Sequence, residues 1–223
     1  MAVMAHPDDA EIWCGGTLAL HAAQGDAIRA CVLSYTADSM RGREARAAAA
    51  RLGGEATLLG FLDAAIRDCD ATVTALRAAM DDFRPDAVIT HWFDDVHPDH
   101  AAAFQITMRA IVQPVADAMC AFDAFPPFPW IYCCDTYRSM GLRGVLAPNQ
   151  FVDVTTVWAD KIAAIQAHAS QPTADYLAMI ERQCRVHGET AGVPYAEAFL
   201  HIPLFTRTGE APLLGAAIER TRS

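Results

Sequence analysis

The feature that most constrains the fold of this chain is a regular alternation of short apolar runs with longer, alanine-rich amphipathic stretches. The runs at 1–5, 29–35, 56–59 and 87–91 have the length of β-strands, and the stretches between them have helical periodicity. Strands that alternate with helices in this way predict βαβ units. We therefore expect an α/β fold, with a Rossmann-like, mostly parallel sheet flanked by helices.

The second half of the chain continues this pattern with less regularity. Helices are predicted at 16–24, 41–52, 72–83, 99–120, 156–169 and 173–186, and two further strands at 130–134 and 151–154. No internal repeat or low-complexity linker divides the chain. We expect one domain over 1–223, in which about 1–120 form the βαβ core and about 121–223 form an elaboration that shapes a substrate pocket.

The composition argues against several classes of protein. Apolar residues make up 53% and charged residues 20%, as in globular domains. A net charge of -10 with no run of Lys or Arg argues against nucleic acid as a partner. No stretch approaches the ~20 apolar residues of a membrane span and no export signal is visible, so we expect a cytoplasmic protein. The seven cysteines contain no CxxC pair and are expected to be buried thiols.

Two segments rich in His and Asp follow predicted strands. The first reads AHPDDAE over 5–11, directly after the first strand, and the second reads DDVHPDH over 94–100, shortly after the fourth. In an open parallel sheet, ligands bind at the carboxyl ends of the strands where the strand order reverses. If these two strands flank that reversal, both segments face one crevice. The prolines restrict the residues that precede them, which orders His6 and His97 before any ligand binds.

The residue types in these segments suit a metal. Imidazole and carboxylate are good zinc ligands, and a catalytic zinc takes three protein ligands and leaves one position open. Two ligands from one segment and one from the other would meet that count. Each segment alone has a simpler interpretation, because acidic residues near a helix start often cap the helix. Two such segments at one sheet edge favour a metal site, for which iron and cobalt are alternatives to zinc.

With CGGT at 14–17, these segments resemble the PIG-L/LmbE family of zinc-dependent N-acetylglucosaminyl de-N-acetylases. Later blocks of that family also have counterparts here, which are RE at 43–44, FVDVT at 151–155, Lys161, HASQ at 168–171 and YAEAF at 195–199. The resemblance implies an LmbE-like fold and a zinc-dependent hydrolase that removes an N-acetyl or other acyl group from an amino sugar or glycoside. Members of the family often form oligomers, which leaves a homo-oligomer open for this chain.

The resemblance also implies roles for individual residues. It assigns the zinc ligands to His6, Asp9 and His100. Asp8 would be the general base that takes a proton from the attacking water, while zinc would polarise the amide carbonyl. These roles agree with the needs of amide hydrolysis, in which a nucleophile must be activated and negative charge on the carbonyl oxygen must be stabilised.

Two further residues of the second segment receive roles in the same way. His97 would stabilise the oxyanion and protonate the leaving amine, and Asp99 would orient a neighbouring imidazole. Some relatives have a tyrosine two residues before the first His of HPDH as an oxyanion helper, and this chain has Asp95 there. A carboxylate cannot serve in that role unless it is protonated. The helper in this chain is therefore either another residue or absent.

Substrate contacts are predicted at two positions. Arg43 is the predicted substrate-binding arginine, because a planar guanidinium can hold sugar hydroxyls or a phosphate, although a solvated surface charge is equally consistent. Asp63 occupies the position at which relatives hold a sugar hydroxyl, and a simple loop carboxylate is a comparable interpretation. A set of aromatic residues could form a sugar-stacking wall, and packing under a long loop explains them equally well. They lie within 125–128 and at Trp130, Tyr132 and Tyr137.

Two alternatives to an amino-sugar deacetylase remain open at this point. One is a zinc amidase that cleaves a non-sugar amide, such as a thiol conjugate or a secondary metabolite. The other is a metal-binding protein without catalysis. Asp8 and His97 argue against the second alternative, because neither residue is needed merely to hold zinc.

Overall fold

The computed structural model describes residues 1–121 and 128–204. The strands are β1 (Ala2–Met4), β2 (Arg29–Ser34), β3 (Glu55–Phe61), β4 (Ala87–Thr90), β5 (Trp130–Cys134), β6 (Gln150–Asp153) and β7 (Ala196–Ile202). The helices are α1 (Asp9–Ala23), α2 (Met40–Arg51), α3 (Asp70–Phe83), α4 (Pro98–Ala121), α5 (Trp158–Gln166) and α6 (Thr173–Ala191). Short 3₁₀ turns occupy Tyr137–Ser139 and Thr155–Val157. Residues 125–127 of the predicted aromatic wall lie outside the described residues.

The strands form one seven-stranded sheet in the order β3-β2-β1-β4-β5-β7-β6. The first five strands pair in parallel, whereas β7 runs antiparallel between β5 and β6. This arrangement confirms the predicted α/β fold with a mostly parallel sheet. The strand order reverses between β1 and β4, so the loops that follow these two strands flank the point where an open α/β sheet binds its ligand.

Helices cover both faces of the sheet. Alternate residues of β1 point to opposite faces, so that Met4 belongs to one apolar cluster and Val3 to the other. The first cluster is completed by α1, α5 and α6, and the second by α3 and α4. This burial on both faces explains why β1 is apolar at every position. Among the described helices, none combines the length and the hydropathy that crossing a membrane would require.

Helix α1 begins seven residues before the predicted start at Gly16. Its backbone is non-helical at Cys14, where φ is -144° and ψ is 15°. The ammonium group of Lys161 donates hydrogen bonds to the carbonyls of Glu11 and Ile12 at 3.0 and 2.7 Å. The backbone N–H of Gly16 donates to the carboxylate of Glu197 at 2.8 Å. The predicted start at Gly16 therefore corresponds to the second half of the helix. The first half was missed because it depends on these buried partners from distant segments.

Two elements near the carboxyl end of the described chain differ from prediction. The sequence analysis assigned no strand to Ala196–Ile202, yet β7 pairs with both β5 and β6 there. The helix predicted at 156–169 is a 3₁₀ turn followed by the shorter α5. The strand was missed because β7 is stabilised by strands that lie more than 40 residues earlier in the chain, which local propensity does not report.

Candidate active site

A cavity of about 180 Å³ opens at the carboxyl ends of β1 and β4, where the strand order reverses. The residues that line it are His6, Asp8, Asp9, Ile12, Arg41, Asp63, His97, Tyr137, Gln171 and Tyr176. A larger cavity of about 420 Å³ lies beside Met1 and Trp130 and contains none of the predicted metal ligands. Chemistry rather than volume therefore identifies the candidate site.

The three predicted metal ligands lie together at this cavity. His6 follows β1, Asp9 is in the first turn of α1 and His100 is in the first turn of α4, and all three are buried. One donor atom from each lies within 4.8 Å of the other two. The carboxylate of Asp9 is 3.3 Å from Nδ1 of His6 and 3.5 Å from Nε2 of His100. Atoms about 2.1 Å from a tetrahedral ion lie roughly 3.4 Å apart, so this donor set fits one zinc-sized cation.

The charges around His100 also suit a cation. Burial lowers the pKa of His100, but the carboxylates of Asp9 and Asp95 outweigh it and raise that pKa to about 10. The two carboxylates thus stabilise positive charge at the centre of the cluster. Two carboxylates beside neutral imidazoles would leave a net negative site, for which a bound divalent cation compensates.

Asp95 has a role that the sequence analysis did not assign. Its Oδ2 lies 2.9 Å from Nδ1 of His100, and its Oδ1 accepts the backbone N–H of His97 at 2.8 Å. The hydroxyl of Thr136 donates to the same Oδ2 at 2.7 Å. A carboxylate on the outer nitrogen of an imidazole ligand fixes its tautomer and orientation. Asp95 therefore orients His100, which leaves the oxyanion helper to another residue.

Asp8 has a strained backbone conformation and lines the cavity beside the His/Asp cluster. It caps α1 with φ 102° and ψ -27°, a left-handed conformation that is unfavourable for a residue with a side chain. The Asp8 carboxylate lies 3.0 Å from Nη2 of Arg41. Burial and the charge of Asp9 raise the pKa of Asp8 to about 7, against the opposing effect of Arg41. A carboxylate with such a pKa suits a general base at neutral pH.

His97 and Asp99 complete the cluster on the side of α4. Nδ1 of His97 accepts the backbone N–H of Asp99 at 3.2 Å, which leaves Nε2 to carry the proton of the neutral ring. The His97 ring stacks on that of His100 at 4.6 Å and meets that of His6 edge-on at 4.8 Å. Burial and the neighbouring imidazoles lower the pKa of His97. The buried Asp99 lies 3.3 Å from Nε2 of His6, so it contacts one of the predicted ligands.

The predicted substrate residues lie in different places. Asp63 lines the cavity, where its Oδ1 is 3.2 Å from Nε2 of His6 and its Oδ2 accepts the hydroxyl of Tyr35 at 2.6 Å. Arg43 is exposed outside the cavity, and its guanidinium donates to the carbonyl of Asp38. Arg41 is the arginine that lines the cavity. Residues two apart on a helix point in nearly opposite directions, and only the position of α2 decides which of the two faces the site.

Three further residues line the cavity: Tyr137 belongs to the predicted aromatic wall, Gln171 lies in the HASQ block, and Tyr176 was assigned no role by the sequence analysis. All three lie on segments that follow β5 in the chain, outside the two His/Asp segments. Of the predicted aromatic wall, only Tyr137 reaches this cavity among the described residues, since Tyr132 is buried in the core and Trp130 lines the larger cavity. No sequence signal distinguishes Tyr137 from these neighbours, because its position depends on how the segment after β5 crosses the sheet edge.

His91 supports the cluster from below. Its ring stacks on that of His100 with centroids 3.8 Å apart, and its Nε2 accepts the backbone N–H of Ala5 at 3.0 Å. Burial and the charge of His100 lower the pKa of His91 to about 4. A neutral, buried ring in this position packs against His100.

These features define a class of protein. Two histidines and a carboxylate fit one cation, and a second carboxylate and a third histidine lie beside them in a cavity at the sheet edge. Such a set supplies the ligands, the base and the acid of metal-assisted amide hydrolysis. The site therefore contains the groups that an amide-hydrolysing enzyme requires.

Residues 1–111, about half of the chain, match the family model of PIG-L, described as GlcNAc-PI de-N-acetylase. The chain belongs to the PIG-L family, as the two His/Asp segments indicated. The matched region holds both segments and therefore all the predicted metal ligands. It ends within α4, so the wall that carries Tyr137 lies outside the match.

Individual relatives include both deacetylases and hydratases. A 4-oxalmesaconate hydratase of Pseudomonas putida is 27% identical over 190 residues, 77% of this chain and 73% of that protein. A 1D-myo-inositol 2-acetamido-2-deoxy-alpha-D-glucopyranoside deacetylase of Saccharopolyspora erythraea is 30% identical over 176 residues, 56% of this chain and 57% of that protein. The crystal structure of 4-carboxy-2-hydroxymuconate hydratase from Pseudomonas putida gives a TM-score of 0.77 at 23% identity, over 94% of this chain and 99% of that chain. The fold is therefore common to enzymes with different reactions.

Proposed function

We propose that this protein is a metal-dependent de-N-acylase that removes an acetyl or other acyl group from an amino sugar or glycoside. The observation that carries the proposal is the convergence of a three-residue cation site with Asp8 and His97 in one cavity. Zinc is the proposed ion, held by His6, Asp9 and His100, because its preferred ligands and their separations match this set. When bound there, zinc would polarise the acyl carbonyl and lower the pKa of water.

Asp8 and His97 are the proposed acid and base of the reaction. Asp8 accepts a proton as the oxygen of water forms a bond to the acyl carbon, and the carbonyl π electrons move onto the acyl oxygen. The C–N bond then breaks as those electrons return, Nε2 of His97 donates its proton to the leaving nitrogen, and the proton that Asp8 accepted from water replaces it on His97, so that both side chains regain their starting protonation states. The products are a carboxylic acid and a free amine. Asp99 is proposed to hold His6 in the orientation that the ion requires.

The charges of the cavity favour an amino sugar over an anionic substrate. Asp8, Asp9 and Asp63 contribute carboxylates, whereas Arg41 is the only Lys or Arg among the described lining residues. Arg41 is itself paired with Asp8. A neutral N-acetylated sugar and its cationic amine product are compatible with these charges, and Asp63 can accept hydrogen bonds from sugar hydroxyls. Arg41 is therefore a proposed substrate contact in place of Arg43.

Hydration of a carbon–carbon double bond is the second candidate function. It is favoured by the similarity to 4-oxalmesaconate hydratase, which covers more of this chain than the similarity to the inositol deacetylase. The weakness of this candidate is electrostatic, because a carboxylated substrate would meet three carboxylates and a single paired guanidinium in the cavity. We therefore rank it below de-N-acylation.

A panel of substrates separates these candidates. The zinc-loaded protein is incubated with N-acetylglucosaminides, with non-sugar N-acetyl amides and with 4-oxalmesaconate, and acetate release and loss of the double bond are measured. We expect acetate from the glucosaminides alone. Asp8→Asn is the control, since it should retain zinc and lose turnover. Acetate release from the non-sugar amides alone would show that the substrate is an amide other than an amino sugar. Hydration without acetate release would overturn the proposed de-N-acylation.

A further inference from the structure

The part of the cavity lining that includes Tyr137 is built on a strained turn. The turn follows β5 and includes the 3₁₀ segment Tyr137–Ser139. Arg138 and Ser139 both have φ 55°, in the left-handed region that residues with side chains avoid. Such conformations are unfavourable and persist only where the surroundings enforce them. Two such residues follow directly after Tyr137, which lines the cavity.

Buried polar groups enforce this turn from within. The carboxylate of Asp135 accepts the hydroxyl of Ser139 at 2.9 Å and the backbone N–H of Thr136 at 2.8 Å. From α6, Nε2 of His187 lies 2.5 Å from the same carboxylate, and the side-chain amide of Gln183 also donates to it. The amide of Gln183 donates in addition to the carbonyl of Thr136 at 2.8 Å. The turn is thus a rigid element that α6 holds in one position.

The same turn is connected by hydrogen bonds to the His/Asp cluster. Thr136 donates to Asp95, and Asp95 in turn holds His100. Gly141 packs so closely on the loop after β4 that a Cβ would lie 2.3 Å from the carbonyl of Asp94. Any larger residue would push the turn away from the cluster. These contacts fix the distance between the turn and the proposed metal ligands.

Tyr137 is the residue that this turn presents to the cavity. Its ring lies parallel to that of His100, with centroids 6.1 Å apart and an angle of 13°, and it meets the ring of Trp13 edge-on at 5.1 Å. A phenol, with an ordinary pKa of about 10, is protonated at neutral pH, so Tyr137 is a hydrogen-bond donor.

We propose that the Tyr137 hydroxyl is a catalytic hydrogen-bond donor to the acyl oxygen of the substrate, an inference that rests on the proposed de-N-acylation. As the oxygen of water bonds to the acyl carbon, the carbonyl π electrons move onto the acyl oxygen, and Tyr137 donates a hydrogen bond to it. The proton stays on the phenol throughout. When the electrons return and the C–N bond breaks, that hydrogen bond weakens again. A donor fixed before the reaction stabilises this charge without reorganisation.

The other donors of the cavity are less suited to this role. Nδ1 of His97 is occupied by the backbone N–H of Asp99, so that its single proton lies on Nε2 and is needed for the leaving nitrogen. Arg41 is engaged with Asp8. Tyr176 lies on α6 at the same wall and belongs to no strained segment. It is therefore the appropriate competitor in a test.

The test compares three hydroxyl deletions in the zinc-loaded protein. Tyr137→Phe should lower kcat about 10²–10³-fold, leave KM within about threefold and leave zinc content unchanged. Tyr195→Phe is the matched control, because its hydroxyl bonds Arg185 on the surface, and it should behave as the wild type. A tenfold or larger loss in Tyr176→Phe, with Tyr137→Phe unaffected, would assign the donor to Tyr176 and overturn the proposal.

A second measurement separates catalysis from folding. A methylphosphonamidate analogue of the cleaved N-acetyl substrate mimics the tetrahedral intermediate and should bind Tyr137→Phe more weakly by about the factor lost in kcat/KM. The melting temperature and the zinc content are recorded for every variant. Equal analogue affinity in Tyr137→Phe and wild type would overturn the role of Tyr137 alone. A wild-type protein that cleaves no N-acetyl compound would instead overturn the proposed function, and this inference with it.

Discussion

The two sides of the active-site cavity were built by different means. The cluster side consists of two short segments, 5–11 and 94–100, whose side chains converge because β1 and β4 are neighbours in the sheet. The wall side consists of Arg41 from α2, Tyr137 from the turn after β5 and Tyr176 from α6. Two short motifs therefore contain all the residues of the proposed cation site. The other side of the cavity is assembled from segments spread over more than 130 residues.

Removal of a ligand is the largest change we expect on the cluster side. His100→Ala takes away one of three proposed zinc ligands and also leaves the buried Asp95 carboxylate without its partner. We expect loss of bound zinc and loss of activity by more than about a hundredfold, the upper end of the effect of outer-shell changes. Metal analysis of the dialysed protein and an acetate-release assay measure both. A variant that retains zinc in equal amount would remove His100 from the ligand set.

The scaffold beneath the cluster is tested by its buried ion pair. Lys161 lies 2.6 Å from Glu197, and both side chains are almost fully buried. Lys161→Met leaves the Glu197 carboxylate unpaired, which should lower the free energy of unfolding by about 3–5 kcal/mol. Urea denaturation measures this loss. The double variant Lys161→Met with Glu197→Gln should recover part of it, and a single variant as stable as the wild type would contradict the assigned role.

Asp95 links the two sides and should show an intermediate effect. Asp95→Asn keeps the shape of the side chain but removes the charge beside His100. We expect zinc affinity or activity to fall about 10–100-fold, as for other carboxylates that orient a histidine ligand. Competition with a chelator measures the affinity. An unchanged affinity would show that His100 is held by packing alone.

A matched pair of arginine variants tests the wall side. Arg41→Met removes a guanidinium that lines the cavity, and Arg43→Met removes one that lies outside it. We expect kcat/KM to fall about tenfold in Arg41→Met, the effect of losing one charged hydrogen bond of about 1.5 kcal/mol. Arg43→Met should stay within about twofold of the wild type. The opposite result would restore the sequence-based assignment of Arg43.

The smallest expected effect is a pH dependence of stability. Burial lowers the pKa of His168, but its bond to Glu11 and the charges of Glu11, Asp8 and Glu44 outweigh this and raise the pKa above its ordinary value of 6.5. A raised folded-state pKa stabilises the protein below pH 6.5, and this contribution is lost as the pH rises through the folded-state pKa. The melting temperature of the wild type should therefore decline relative to that of His168→Gln as the pH rises above 6.5. Parallel curves would contradict this.

Sequence reasoning succeeded where the signal was local. The proposed ligands His6, Asp9 and His100 lie in motifs of seven residues, and the structure brings them together because β1 and β4 flank the reversal of strand order, which the sequence analysis required as a condition. It was incomplete for β7 and the first half of α1, because each is stabilised by partners from distant segments. It selected Arg43 rather than Arg41, since periodicity alone does not say which face of α2 turns to the site.

The sequence by itself determined the fold class and the set of residues able to hold a cation, because short motifs and hydrophobic periodicity are properties of neighbouring residues. Only the tertiary structure decided which arginine and which tyrosine line the cavity beside those residues. The turn that carries Tyr137 is held in a strained form by Asp135 with His187 and Gln183, about 50 residues later. No local preference specifies a conformation that is locally unfavourable, so its existence depends on packing across the whole domain.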